Sequence, residues 1–173
     1  MLSNMKYERS ERQYKVLDPD TGEIEIFPYG RDGRRNAMHR AVYFQDARMH
    51  RIVTELVQRS PQLESRAWRA AELVIRGAVN EAIDGEALSS VTGSSEYGDY
   101  LVASRNRIVV CDCPDYMEGN APYFNQNGQR LCKHILATQL SQRLQYRSCG
   151  SCSRKVEAEL MICPFCNGAV TPY

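Results

Sequence analysis

The chain has 173 residues, 43% of them hydrophobic and 25% charged, with a formal net charge of +1. That leaves room for one moderate core, or one core with a metal-stapled appendage, in a soluble globular protein. No apolar run approaches the ~20 residues that a bilayer demands, and Met1-Leu-Ser-Asn-Met-Lys-Tyr-Glu-Arg9 lacks the apolar segment of a signal peptide, so a cytoplasmic (or nuclear) chain with reduced thiols is expected.

Residues 13 to 27 predict a β-hairpin. Ile24 and Ile26 alternate with Glu23 and Glu25, and Asp18-Pro-Asp-Thr-Gly22 supplies the turn. Pro28-Tyr-Gly-Arg-Asp-Gly-Arg-Arg35 reads as a loop, basic at its end, a solvated connector in preference to a phosphate-contacting arm. Asn36 is placed to cap a helix running to about Arg59, because Met38, Val42, Met49, Ile52, Val53, Leu56 and Val57 recur at three-to-four spacing; Asp46 divides it. Ser60-Pro61 marks the next boundary, with Ser as N-cap and Pro in the first turn. The following helix runs to Arg76 and buries Leu63, Ala67, Ala70, Ala71 and Val74. Gly77 follows as its left-handed C-terminal residue, with Val79 folding back. Trp68 is expected in the core, and His39 and His50 on exposed helix surface without a role.

From Asn80 to Gly98 the chain offers one short buried strand around Ile83, Leu88 and Val91, broken up by Asp84-Gly85 and Gly93-Ser-Ser-Glu-Tyr-Gly98. Tyr100 to Ala103 and Arg107 to Cys111 then form a hairpin. It delivers Cys111 and Cys113 on one side and Asp112 on the other, since strand side chains alternate faces. Pro114 ends the strand. The loop to Leu131 has turns at Gly119-Asn-Ala-Pro122 and Asn127-Gly128, and carries Tyr116, Tyr123 and Phe124 as a small satellite core in preference to a base-stacking platform. Cys132-Lys-His134 opens a helix whose Leu136, Leu140 and Leu144 form one inward stripe.

Three thiolates and one imidazole, Cys111, Cys113, Cys132 and His134, suit tetrahedral Zn²⁺ and leave no open position. Cys149-Gly-Ser-Cys152 and Cys163-Pro-Phe-Cys166 make a second four-ligand signature, with Leu160-Met-Ile162 as the strand between its knuckles. All seven cysteines therefore fall into ligand-like spacings, and an odd count speaks against a simple disulfide framework. The second unit is too small to stand without its ion, which must supply its folding energy, ~10–16 kcal/mol in comparable peptides. A thioredoxin-type redox pair lacks its βαβ setting, and the short spacer and missing aromatic surroundings disfavour rubredoxin-like iron.

These residues resemble the SWIM zinc finger, C-x-C-x(n)-C-x-H. So do the flanks: Ser65-Arg-Ala-Trp-Arg-Ala-Ala-Glu-Leu-Val-Ile-Arg-Gly77-Ala-Val79 is similar to the family's leading helix, Tyr100-Leu-Val and Arg107-Ile-Val-Val-Cys-Asp-Cys-Pro-Asp-Tyr116 to its hairpin, and Cys132-Lys-His-Ile-Leu-Ala137 to its closing helix. The C-terminal unit looks like a short zinc ribbon. The resemblance implies an α+β chain in which a helical N-terminal half leads into a ββα SWIM finger and then a ribbon module. Its expected domains are 1–35, 36–145 and 146–173. It also implies binding of DNA or protein partners and no reaction; SWIM fingers accompany transposases and remodelling ATPases.

Ligation changes the charge. Seven deprotonated cysteines add seven negative charges and two zinc ions restore four, taking the net from +1 to −2. Locally, residues 130 to 155 carry Arg130, Lys133, Arg143, Arg147, Arg154 and Lys155 and no acid. Lys133 is best explained as balancing thiolate charge, while Arg143, Arg147, Arg154 and Lys155 are the candidates for phosphate contact. The expected activity is therefore non-enzymatic nucleic-acid binding, DNA before RNA, in an accessory protein. The alternative is an adaptor that docks on a larger DNA-processing enzyme. Neither a membrane nor a small-molecule substrate is expected.

Overall fold

A computed structural model describes residues 7–10, 12–81, 87–93, 98–124, 128–152, 154–157, 160, 162–168 and 170, with backbone alone at 7–10, 81, 146–148 and 155. The fold is α+β. Ile83, Asp84-Gly85, residues 94–97, Asn127 and Met161, named above, lie outside the described residues. No described helix is long and apolar enough to cross a membrane.

Strands β1 (Tyr7–Ser10), β2 (Gln13–Leu17) and β3 (Ile24–Pro28) form an antiparallel sheet in that order. The turn between β2 and β3 is built as the sequence predicts. Asp18 Oδ1 accepts from the amides of Asp20 (2.9 Å) and Thr21 (3.3 Å), Gly22 takes φ 74°, and the first of those amides leads in lowering the Asp18 pKa. The facing of β3 is the less expected part. Register pairs Tyr14 with Phe27 and Val16 with Glu25, so Tyr14 and Val16 fix the inner face and leave Ile24 and Ile26 57% and 60% exposed. Glu25, drawn to the inner side, receives a hydrogen bond from Arg40 Nε at 2.7 Å.

Helix α1 (Arg31–Gln45) corrects two expectations: it starts at Arg31, well before Asn36, and the basic stretch is its first turn, not a connector. Gly33 explains the early start. A Cβ there would lie 1.7 Å from the carbonyl oxygen of Pro28, so only glycine lets the helix lie directly on the end of β3. Ala37 and Ala41 of α1 close a small core with Tyr14 and Val16. Asp46 divides the helical run as read: its backbone is extended, and its carboxylate accepts from Met49 N (2.9 Å) to cap α2 (Ala47–Arg59). Ser60 makes no side-chain cap; Pro61–Leu63 is a 3-10 turn that feeds α3 (Glu64–Ile75). The end of α3 is a Schellman motif. Gly77 at φ 68° donates to Val74 O and Ala78 to Leu73 O.

Strands β4 (Val79–Glu81), β5 (Ala87–Thr92), β6 (Asp99–Arg105) and β7 (Ile108–Cys111) make a four-stranded antiparallel meander, larger than the expected hairpin. Asn106 and Arg107, at φ 51° and 66°, turn β6 into β7, so Arg107 belongs to the turn. One helical turn, α4 (Pro114–Met117), follows, then α5 (Lys133–Gln145). Helix α5 buries Ile135, Leu136, Ala137, Thr138 and Leu140 between α3 and the sheet, a broader contact than the single leucine stripe. Ser89 of β5 and Thr138 share a buried hydroxyl hydrogen bond across that contact. Finally β8 (Tyr146–Ser148) pairs with β9 (Lys155–Glu157). Strand β9 thus lies between the last two cysteine pairs; of the strand expected at Leu160–Ile162, Met161 lies outside the described residues and Ile162 is 62% exposed.

Candidate metal centres

Cys111 ends β7, Cys113 is the extended residue before α4, Cys132 precedes α5, and His134 stands in its first turn. Strand, helix start and helix start converge on one point. The four ligand atoms all lie within 4.8 Å of one another, and every one of these residues is buried. His134 Nδ1 is 3.8 Å from Cys111 Sγ. The Tyr100 ring stacks on the imidazole with centroids 4.5 Å apart, fixing its plane. His134 Nε2 is buried with no hydrogen-bond partner among the described residues.

Asp112 points away, as alternation requires. Its carboxylate accepts from Leu101 N (2.9 Å) and its amide donates to Leu101 O (3.3 Å), extending the β6–β7 ladder past its end. The turn after Cys113 is held by Tyr116 N and Met117 N donating to Cys113 O. Asp115, in that turn, receives Arg66 Nε (3.2 Å) and Nη2 (2.9 Å) from α3, and Arg66 also donates to Asn120 O. Those hydrogen bonds to Asp115 lead in raising the Arg66 pKa. On the other side, Gln129 uses its amide as a substitute strand: Oε1 accepts from Val109 N (2.9 Å) and Nε2 donates to Val109 O (2.8 Å). Sequence reading missed Arg66, Tyr100 and Gln129 as supports of this centre. They are remote in sequence, and only the Asp115 position beside a ligand hinted at a partner.

The three sulfurs hydrogen-bond one another. Bonds from Cys111 and then Cys132 push the Cys113 thiol far down, while the bond with Cys113 leads in pushing Cys111 up. Cys132 is raised as well, so the sulfurs oppose shared ionisation, and a bound cation would be what holds all three as thiolates.

In the second group the ligand atoms of Cys149, Cys152, Cys163 and Cys166 also lie within 4.8 Å of one another. Sγ–Sγ distances are 3.6 Å for Cys149–Cys166 and 3.7 Å for Cys152–Cys163. Neither is a disulfide, which needs about 2.05 Å. Both match the edge of a tetrahedron, about 3.8 Å for metal–sulfur bonds of about 2.3 Å. Cys149 N donates to Arg154 O and Cys163 N to Gly168 O, closing one tight turn in each half. The backbone amides of Cys152 and then Ser151 lower the Cys149 thiol to about 6, as expected of a knuckle whose N–H groups reach the sulfur. Gly168 packs closely here, where a Cβ would meet Ser151 Oγ at 2.5 Å and Cys166 Sγ at 3.3 Å. The eight residues singled out from sequence are thus brought together as two sets, each able to hold one metal ion.

The basic residues are not brought together in the same way. Arg143 is exposed on α5, where the carbonyls of Arg143 and Leu144 accept from Arg48. Arg154 lies over the Phe165 ring at 4.9 Å, and Arg130 over the Tyr123 ring at 4.6 Å. Register sets Arg147 opposite Val156 and Ser148 opposite Lys155; the side chains of Arg147 and Lys155 lie outside the described residues. The loop aromatics split. Tyr116 packs against the main core, whereas Tyr123 and Phe124 are 59% and 45% exposed, so the expected satellite core reduces to one ring. His39 and His50 are half-buried, not exposed: their rings pack on Trp68, with centroids 3.8 and 5.3 Å away.

No family model, curated protein or solved structure matches this chain significantly.

Proposed function

We propose that the chain is a non-enzymatic two-zinc scaffold that binds nucleic acid, DNA in preference to RNA, through a SWIM-like finger (Cys111, Cys113, Cys132, His134) and a zinc-ribbon module (Cys149, Cys152, Cys163, Cys166). One observation carries the reading: all seven cysteines and one histidine are consumed as two four-donor sets. Sulfur-rich, four-donor shells favour zinc, and a filled tetrahedron leaves no vertex for a reacting water. Stable free thiolates also fit a reducing, cytoplasmic setting.

For nucleic acid, support comes from the cations that remain at the surface. Arg143 is exposed, and Arg154 stacked on Phe165 offers a guanidinium beside an aromatic face, with Tyr123 and Phe124 exposed on the loop by the first centre. The test is a salt series of labelled duplex binding by the zinc-loaded protein. Changing Arg143 and Arg154 to Ala should weaken binding and lower the salt slope by about one per lost phosphate contact. An unaltered slope contradicts the reading. The adaptor alternative rests on exposed apolar side chains near the centres, Met117 at 69%, Ile162 at 62% and Phe165 at 56%. It predicts the reverse: Ile162→Ser and Phe165→Ser abolish association with a larger protein while the duplex series stays flat.

A further inference from the structure

The N-terminal half holds a cavity of about 480 Å³ between the sheet, the first turns of α1 and the start of α3. That is the size range of small-ligand sites. Its cationic lining comes from Arg31, Arg34 and Arg35 of α1 and Arg69 of α3, opposed within the lining by Glu64 alone. Arg35 is paired with Asp32 at 3.2 Å, while Arg31, Arg34 and Arg69 have no ion pair among the described residues. The N-terminus of α1 also faces this region: Gly30 and Arg31 line the cavity, and no side chain caps the helix. Uncapped amides and guanidinium groups together make an anion site.

The remaining lining is aromatic. Tyr14 and Tyr29 stack at 5.8 Å with planes 10° apart, and Tyr29 is 51% exposed. Trp68 lines the cavity while only 3% exposed, and its indole N–H has no hydrogen-bond partner among the described residues. A buried donor without a partner costs stability unless something accepts from it. Inorganic phosphate would use the arginines and leave the rings and the indole idle. A ligand with both an anionic group and a flat, hydrogen-bonding ring would use all three.

We propose that this cavity binds a 5′-phosphorylated nucleoside, free or as the 5′ end of a strand, with its phosphate on Arg31, Arg34 and Arg69 and its base against the tyrosine pair and Trp68. The site is separate from both metal centres and does not rest on their reading. It assigns a task to the basic first turn of α1.

The single tryptophan of the chain makes the test direct. The full-length zinc-loaded protein is titrated with AMP, adenosine and inorganic phosphate, following Trp68 emission and heat. AMP should give a saturable change, with adenosine and phosphate each at least about tenfold weaker, because charged hydrogen bonds and stacking both contribute. Arg34→Gln and Arg69→Gln should each weaken AMP by about tenfold, with helical content and metal content unchanged. Displacement of AMP by a 5′-phosphorylated but not a 5′-hydroxyl oligonucleotide identifies a strand end; displacement by neither identifies a free nucleotide. The absence of saturation by AMP, or adenosine or phosphate binding as tightly as AMP, overturns the proposal without needing any variant. So does an Arg34→Gln, Arg69→Gln protein that binds AMP normally. Arg143→Ala and Arg154→Ala should leave the AMP response intact, which separates this site from the C-terminal reading.

Discussion

The two four-donor groups use nearly the same ligands and sit in opposite structural circumstances. Cys111, Cys113 and Cys132 belong to the main core, packed with Leu131, Ile135, Leu136 and Ala121. Cys149 and Cys163 form their own small core with Val156 and Val170 as the buried aliphatic partners among the described residues. The first group is buried throughout, whereas Cys152 of the second is half-buried and Cys166 is exposed. An ion in the first group locks together elements that hydrophobic burial already holds; an ion in the second carries a stretch whose apolar cluster, among the described residues, is small. The same chemistry is a staple in one place and the foundation in the other.

The sharpest way to break that contrast is Cys163→Ser. Loss of this ligand should forfeit most of the ~10–16 kcal/mol that such an ion contributes. Bound metal should fall from two ions to one, amide signals from 146 to 170 should collapse to random-coil positions, and those of the helices and both larger sheets should stay in place. Retained dispersion in the C-terminal signals would mean that the small core folds without its ion. Next in size is Cys132→Ser, expected to cost about 3–5 kcal/mol because buried, charge-bearing sulfurs lose their partner inside a packed core. Urea unfolding should show a lowered midpoint for the main transition, with shifted amides at Leu101 and Gln129 but α1 to α3 still folded. A midpoint equal to wild type would remove the claim that the first centre is integrated into the core.

Acid should separate the two regions further. Burial leads in lowering His39 from its usual value to about 4. Its neutral form is therefore favoured by folding: the stabilisation is complete above pH 6.5 and is lost as pH falls toward 4. Because His39 is only half-buried, solvent screening leaves about 1–2 kcal/mol of this. The difference in urea midpoint between wild type and His39→Phe should accordingly change between pH 7 and pH 4.5, and a constant difference would contradict the burial of this ring on Trp68. The smallest effect belongs to Arg66→Ala. The pair with Asp115 is about one-third exposed, which limits it to about 0.5–1 kcal/mol. Chelator competition should nevertheless extract the first ion faster and the second at the wild-type rate; equal acceleration of both would disconnect Arg66 from the first centre.

Legibility in the sequence followed the range of the forces involved. Features set by neighbours along the chain were readable: the turn at Asp18–Gly22, the break at Asp46, the glycine end of α3, and both ligand sets, whose spacing carries the geometry. Features set across space were not. Helix α1 begins at Arg31 because Gly33 docks on Pro28, a contact that a basic, glycine-containing stretch does not announce. Ile24 and Ile26 face outward because Tyr14 and Val16 on the partner strand choose the inner side. Strand β5 was readable around Leu88 and Val91, but not that its Ser89 is buried and satisfied by Thr138 on α5. In the C-terminal unit, sulfurs occupy the places that apolar residues would take, so hydrophobic pattern did not announce β9.

X-ray absorption at the metal edge of the purified protein, with elemental analysis of the same sample, reads out both four-donor sets at once. Two zinc ions per chain are expected, each four-coordinate, with seven sulfurs and one nitrogen shared between them and bond lengths of about 2.3 and 2.0 Å. A single ion per chain, or an oxygen ligand in the averaged shell, would contradict it.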